Sequence, residues 1–93
     1  MKEIWGGVGI SCIDWHPIKE NLIAAVTRRT DRLELWQVDR GVMVYITNLN
    51  MQASRISWNP HNEDEILVKE FGTERLLLLN VKTDAKRLLI LES

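Results

Sequence analysis

The stretch Ile56–Leu67, ISWNPHNEDEIL, repeats Ile13–Ala24, IDWHPIKENLIA, at an offset of 43 residues. Ile, Trp and Pro keep their spacing, Glu63 falls on Glu20 and Ile66 on Ile23. The same offset lays TERLLLLNV from Thr73 over TDRLELWQV from Thr30 without a gap, and Ser54 over Ser11. A register that survives two separate segments marks an internal repeat, whose period of 43 lies in the range of stacked β-units.

Each copy divides into strand-length pieces. ISCIDW and SRISW alternate with period two, which predicts Ser11, Ile13 and Trp15 on one face. Pro17 and Pro60 then end the first strand, because proline fixes φ and offers no ladder donor. NLIAAV and EILV follow polar turns, then RLELWQV and RLLLLNV, then VMVYITNL and RLLILES. Four short strands per period joined by Pro, Asn, Asp or Gly turns predict an all-β chain. LLLL at Leu76–Leu79 reads as a strand covered on both faces. DAKRLLILES also suits a helix by propensity, and the repeat is what assigns it to strand.

With these residues, the chain resembles two degenerate units of the WD-repeat β-propeller family. The carriers are the aromatic-x-Pro strand ends WHP and WNP, and DRLELW, with its counterpart ERLLLL. The family's Gly-His is replaced by Trp5-Gly6 and Asn48-Leu49, and its Trp-Asp by Trp36-Gln37 and Leu79-Asn80. The resemblance implies two four-stranded antiparallel blades, residues 9–49 and 50–93, after a lead-in, 1–8, whose KEIW reads as an outer-strand remnant. Ile13, Trp15, Trp36, Ile56, Trp58, Leu76 and Leu78 are the expected blade-packing residues. Closed propellers have about four to eight blades, so two are an incomplete propeller. Further chain, self-association into a homo-oligomer, or another protein would complete it.

The 93 residues suffice for one small domain, and 12 basic against 13 acidic residues leave a formal charge of −1. That balance argues against nucleic acid or an anionic membrane as a global partner. No signal-like or bilayer-spanning run occurs, and the single cysteine, Cys12, cannot form an intrachain disulfide; a cytoplasmic or nuclear setting is expected.

Little points to catalysis. His16 and His61 sit beside the proline turns, outside any triad or zinc pattern. HNEDE, His61–Glu65, lacks the ligand spacing of a calcium loop and reads as a solvated turn. Gly6, Gly7 and Gly9 precede no Lys-Ser/Thr, and Cys12 reads as a small core residue. No catalytic residue, metal or cofactor is assigned.

Partner binding is the sharper expectation. In the resembling family, turns between second and third strands and those entering the first strand lie on the face most used for partners. Here these are TRRTDR, with Arg28, Arg29 and Arg32, and NLNMQAS, with Asn50 and Gln52. Guanidinium forks suit carboxylates and phosphates. A non-enzymatic scaffold for protein–protein interaction in a multiprotein assembly is therefore the first reading. The alternatives are a self-assembling propeller that binds a small ligand such as carbohydrate between blades, and nucleic-acid contact through the arginine turn.

Overall fold

LIAAVT, Leu22–Thr27, is buried at every position, which a strand achieves only when both faces of its sheet are covered locally. In a computed structural model of the protein, which describes residues 10–27 and 31–90, this segment is the second of eight strands. The strands are β1 (Ile10–Trp15), β2 (Leu22–Thr27), β3 (Arg32–Gln37), β4 (Val42–Asn48), β5 (Ala53–Trp58), β6 (Glu65–Glu70), β7 (Arg75–Asn80) and β8 (Ala85–Ile90). They form two four-stranded antiparallel sheets in the orders β1-β2-β3-β4 and β5-β6-β7-β8, each a meander of consecutive hairpins.

The repeat is kept down to individual hydrogen bonds. His16 N–H donates to the Leu22 carbonyl at 2.8 Å, and Asn59 N–H, 43 residues on, donates to that of Glu65 at 2.9 Å. Val38 N–H to the Asn21 carbonyl at 2.9 Å is matched by Val81 N–H to that of Asp64 at 2.8 Å. Gly41 at φ 64° and Asp84 at φ 61° hold the same left-handed place in the third hairpin turn of each sheet. Glycine takes that conformation without a Cβ penalty, and Asp is one of the few other residues that adopts it.

Two β1 residues oppose one on β2 between Ile10 and Cys12, and β5 has the same irregularity between Ala53 and Arg55. These bulges absorb Ser11 and Ser54. They also correct the strict alternation expected for ISCIDW: Ser11 leaves the Ile13–Trp15 face, and its Oγ donates to the Ala53 carbonyl of the other sheet at 3.2 Å. The ambiguous C-terminal stretch is a strand: β8 pairs with β7 from Arg75–Ile90 to Asn80–Ala85, starting before the expected Arg87.

The core is the space between the sheets. Ala24, Val26, Leu33 and Leu35 meet Ala53, Ile56, Trp58, Ile66, Val68, Leu77 and Leu79 there. The backbones come closest at β1 and β5, with β2 also approaching β5, and the sheets diverge outward. Side-chain size follows that wedge, with alanines near the close approach and leucines on β3 and β7 filling the wider part. Each fully buried Leu, Ile or Val contributes about 1.5–3 kcal/mol.

Candidate interaction surface

Polar groups fix how the two sheets meet. Asp14 Oδ2 accepts a hydrogen bond from the Trp58 backbone N–H at 2.8 Å, and the Asp14 carbonyl accepts from Trp58 Nε1 at 3.2 Å. Trp58 is 4% exposed, so both of its donors are satisfied across the interface.

Next to it, His16 is buried, with its ring edge-on to Trp58 at 4.5 Å between centroids. Its Nδ1 accepts from the N–H groups of Ile18 at 3.0 Å and Lys19 at 2.8 Å. Its Nε2 lies 2.9 Å from the Glu63 carbonyl, which can only accept, so the proton sits on Nε2. His16 thus closes its own proline turn and ties it to the second sheet. Asn59, at the equivalent place, closes its turn through Oδ1 accepting from His61 N–H at 2.8 Å. Lys19 and Glu63 add an exposed ion pair at 4.0 Å.

At the outer rim, the Tyr45 hydroxyl on β4 donates to Asp84 Oδ1 in the β7–β8 turn. Burial pushes the Tyr45 phenol up to about 12, and the Asp84 carboxylate beside it adds to the rise. Asp84 in turn is held below its ordinary carboxylate value, chiefly by the Tyr45 hydroxyl and then by Thr47.

Each sheet also has an outward face, turned away from the other sheet and exposed only in part. On the first sheet it carries Ile13, Trp15, Ile23, Ala25, Glu34 and Trp36, aligned by cross-strand register, with Trp36 Nε1 donating to Glu34 Oε1 at 2.8 Å. Ile13 is 45% and Trp15 53% exposed, while Ile23 and Ala25 are buried. On the second sheet it carries Arg55, Ser57, Leu67, Lys69, Leu76 and Leu78. The expected packing residues are therefore divided. Ile56 and Trp58 lie between the sheets, Ile13, Trp15 and Trp36 lie on one open face, and Leu76 and Leu78 lie half-buried on the other. Leu77 and Leu79 fill the core positions of that leucine run.

Arg28 and Arg29 lie outside the described residues. Arg32 is exposed at the start of β3, and Asn50 and Gln52 are exposed in the β4–β5 connection. Asn50 takes φ 55°, and its N–H bonds Asn48 Oδ1 at 2.9 Å. The Gln52 carbonyl accepts from Phe71 N–H at 2.7 Å, which brings the connection beside the β6–β7 turn.

Among the described residues, no three His, Cys, Asp or Glu side chains are grouped to hold a metal. Within HNEDE, Glu65 is engaged by Asn59 Nδ2 at 3.0 Å. Cys12 is half-buried, and desolvation raises its thiol above the ordinary value against a smaller lowering by Ser11. A cleft of about 390 Å³ between the sheets is lined by Tyr45 and Trp58, the aromatic pair a sugar would need. Trp58 is already packed on His16, and Tyr45 is bonded to Asp84.

Asp14 and His16 were not singled out as interface residues from the sequence. Their signal was present as mismatches within the repeat, Asp14 against Ser57 and His16 against Asn59.

No protein-family model matches the chain, and no curated protein matches it. Among solved structures, a chain of the crystal structure of the Mitotic Checkpoint Complex is similar at a TM-score of 0.72 and 19% identity. The match covers 87% of this chain and 25% of that one. The fold is two blades of an incomplete β-propeller. The first blade is β1–β4 and the second β5–β8.

Proposed function

We propose that this chain is a WD-repeat-like propeller segment acting as a non-enzymatic interaction scaffold in a multiprotein assembly. The observation that carries this reading is the open face of the first blade. Ile13 and Trp15 are about half exposed there, on a face whose counterpart in the second blade is a packed core. An apolar sheet face of this kind marks an interaction surface. The groups that could do chemistry are otherwise occupied: His16 by its turn and the second blade, and Cys12 by a neutral, half-buried thiol. The function is thus presentation of surface segments from the blades, with Arg28, Arg29, Arg32, Asn50 and Gln52 as the second contact set, in a cytoplasmic or nuclear assembly.

The test is co-purification under native conditions, with absolute mass from light scattering and the associated polypeptides identified. Trp15→Arg should remove a stoichiometric partner while the circular dichroism stays β-rich. Replacing Arg28 and Arg29 together with Ala should weaken the same complex. Recovery of an unchanged complex with both variants would remove the scaffold reading.

A further inference from the structure

His16 is a buried titratable side chain at the joint between the two blades, and its hydrogen bonds admit one protonation state. Nδ1 accepts from the N–H groups of Ile18 at 3.0 Å and Lys19 at 2.8 Å, and Nε2 donates to the Glu63 carbonyl at 2.9 Å. The repeat supplies a comparison. At the equivalent place Asn59 closes its turn with Oδ1 on the His61 N–H, and its Nδ2 donates to Glu65 within its own blade. Asparagine does not titrate. Of the two residues that close these turns, the titratable one is the one that reaches across to the other blade.

A proton added to the neutral ring goes to Nδ1, where it meets two N–H donors. Imidazolium donates at both nitrogens and accepts at neither. The turn then loses its closing acceptor, and the Ile18 and Lys19 N–H groups lose their partner. No carboxylate bonds the ring among the described residues. The charged groups around it are otherwise placed. Asp14 on β1 has Oδ2 on the Trp58 N–H, Glu63 is exposed and paired with Lys19 at 4.0 Å, and Asp64 and Lys82 border the cleft beside Trp58. Trp58 packs on the imidazole at 4.5 Å between centroids, which ties any movement of the ring to the contact between blades.

We propose that His16 is a pH-sensitive latch between the blades: proton uptake at Nδ1 opens the first proline turn and releases it from the second blade. Proton counting gives the sign. The closed joint holds the ring neutral and the opened or unfolded chain takes the proton, so stability rises with pH through the histidine range and falls on acidification. The latch concerns the joint itself and is independent of the scaffold reading.

The test is urea unfolding of the full chain at two pH values, for wild type, His61→Ala and His16→Asn. An ordinary histidine titrates near about 6.5, so from about pH 7.5 to about pH 5.5 the unfolding constant of wild type should rise roughly tenfold, while carboxylates stay ionised throughout. His61→Ala should show the same rise, because His61 is exposed and its ring makes no bond among the described residues. His16→Asn should show little or none. A wild type that changes no more than His16→Asn would overturn the proposal. Nuclear magnetic resonance of the His61→Ala chain, which retains a single histidine, decides the matter without the His16 variant. Its ring nitrogens should report the Nε2–H tautomer at the higher pH, and the ring should take its proton only where the Ile18 and Lys19 amide signals leave their closed positions. A ring that becomes protonated while those two amides stay unchanged would equally overturn it.

Discussion

Replacing Asp14 by Ala removes a charged acceptor from the only backbone N–H that one blade offers directly to a side chain of the other among the described residues. The bond is 2.8 Å long and joins residues 44 apart in sequence, so nothing local can replace it. A hydrogen bond to a charged group contributes about 1.5–3 kcal/mol, and the Trp58 N–H, in a residue 4% exposed, would be left without an acceptor. The expected loss is about 2–3 kcal/mol, or a fall in Tm of roughly 8–20 °C for a domain of this size. Asp14→Asn keeps an acceptor oxygen and should lose about 1 kcal/mol. Ser57→Ala is the internal control: it changes the same position of the second blade, where no cross-blade bond exists, and should cost under about 0.5 kcal/mol. Urea unfolding of the full chain, followed by tryptophan fluorescence and circular dichroism, measures all three, and an unchanged m-value confirms that stability alone has moved. Equal losses for Asp14→Ala and Ser57→Ala would refute the assignment of Asp14 as the clasp between blades.

His16→Ala should cost roughly 2–3 kcal/mol, since it strips an acceptor from two backbone N–H groups and a donor from the Glu63 carbonyl. His16→Asn should recover about half of that by closing the turn as Asn59 does, which the same urea titrations will read. Tyr45 is the chain's single tyrosine, so its phenolate absorbance reports it alone. Its folded value, about 12, lies above the ordinary 10.0, so its contribution to stability is complete below pH 10 and is lost as pH rises towards 12. Tyr45→Phe should abolish that alkaline loss in thermal melts; an identical loss in the variant would show that another group is responsible. Asp84 has the opposite sign: its folded value lies below the ordinary 3.8, so its contribution is present above that pH and is lost as pH falls through the lower value. Val44 is 55% exposed on β4, an outer edge strand whose VMVYIT carries no charge, whereas β8 bears Lys86 and Arg87. Val44→Lys should raise the temperature at which scattering appears and change folding stability by less than about 0.5 kcal/mol, because edge charge opposes strand-to-strand association.

Much of the fold was written in local chemistry. Proline at 17 and 60 must end a strand, asparagine closes turns with its own side chain, and β-branched and aromatic runs between them pair as hairpins. The offset of 43 residues then required both halves to adopt the same sheet, and this overrode the helical propensity of AKRLLI. What alternation along a strand could not specify is which neighbour each face meets. Period two separates Leu77 and Leu79 from Leu76 and Leu78, yet both pairs are leucine, and only the packing of β5 against β1 sends the first pair inward. The bulges at Ser11 and Ser54 shift register by one residue through a backbone geometry that side-chain pattern does not encode. The roles of Asp14 and His16 likewise depend on residues more than forty positions away. The sequence by itself determined the strands, their turns and their twofold repetition, because those follow from neighbours in the chain. The tertiary structure alone decided which face is core and which face is turned outward, because that depends on contacts between distant segments.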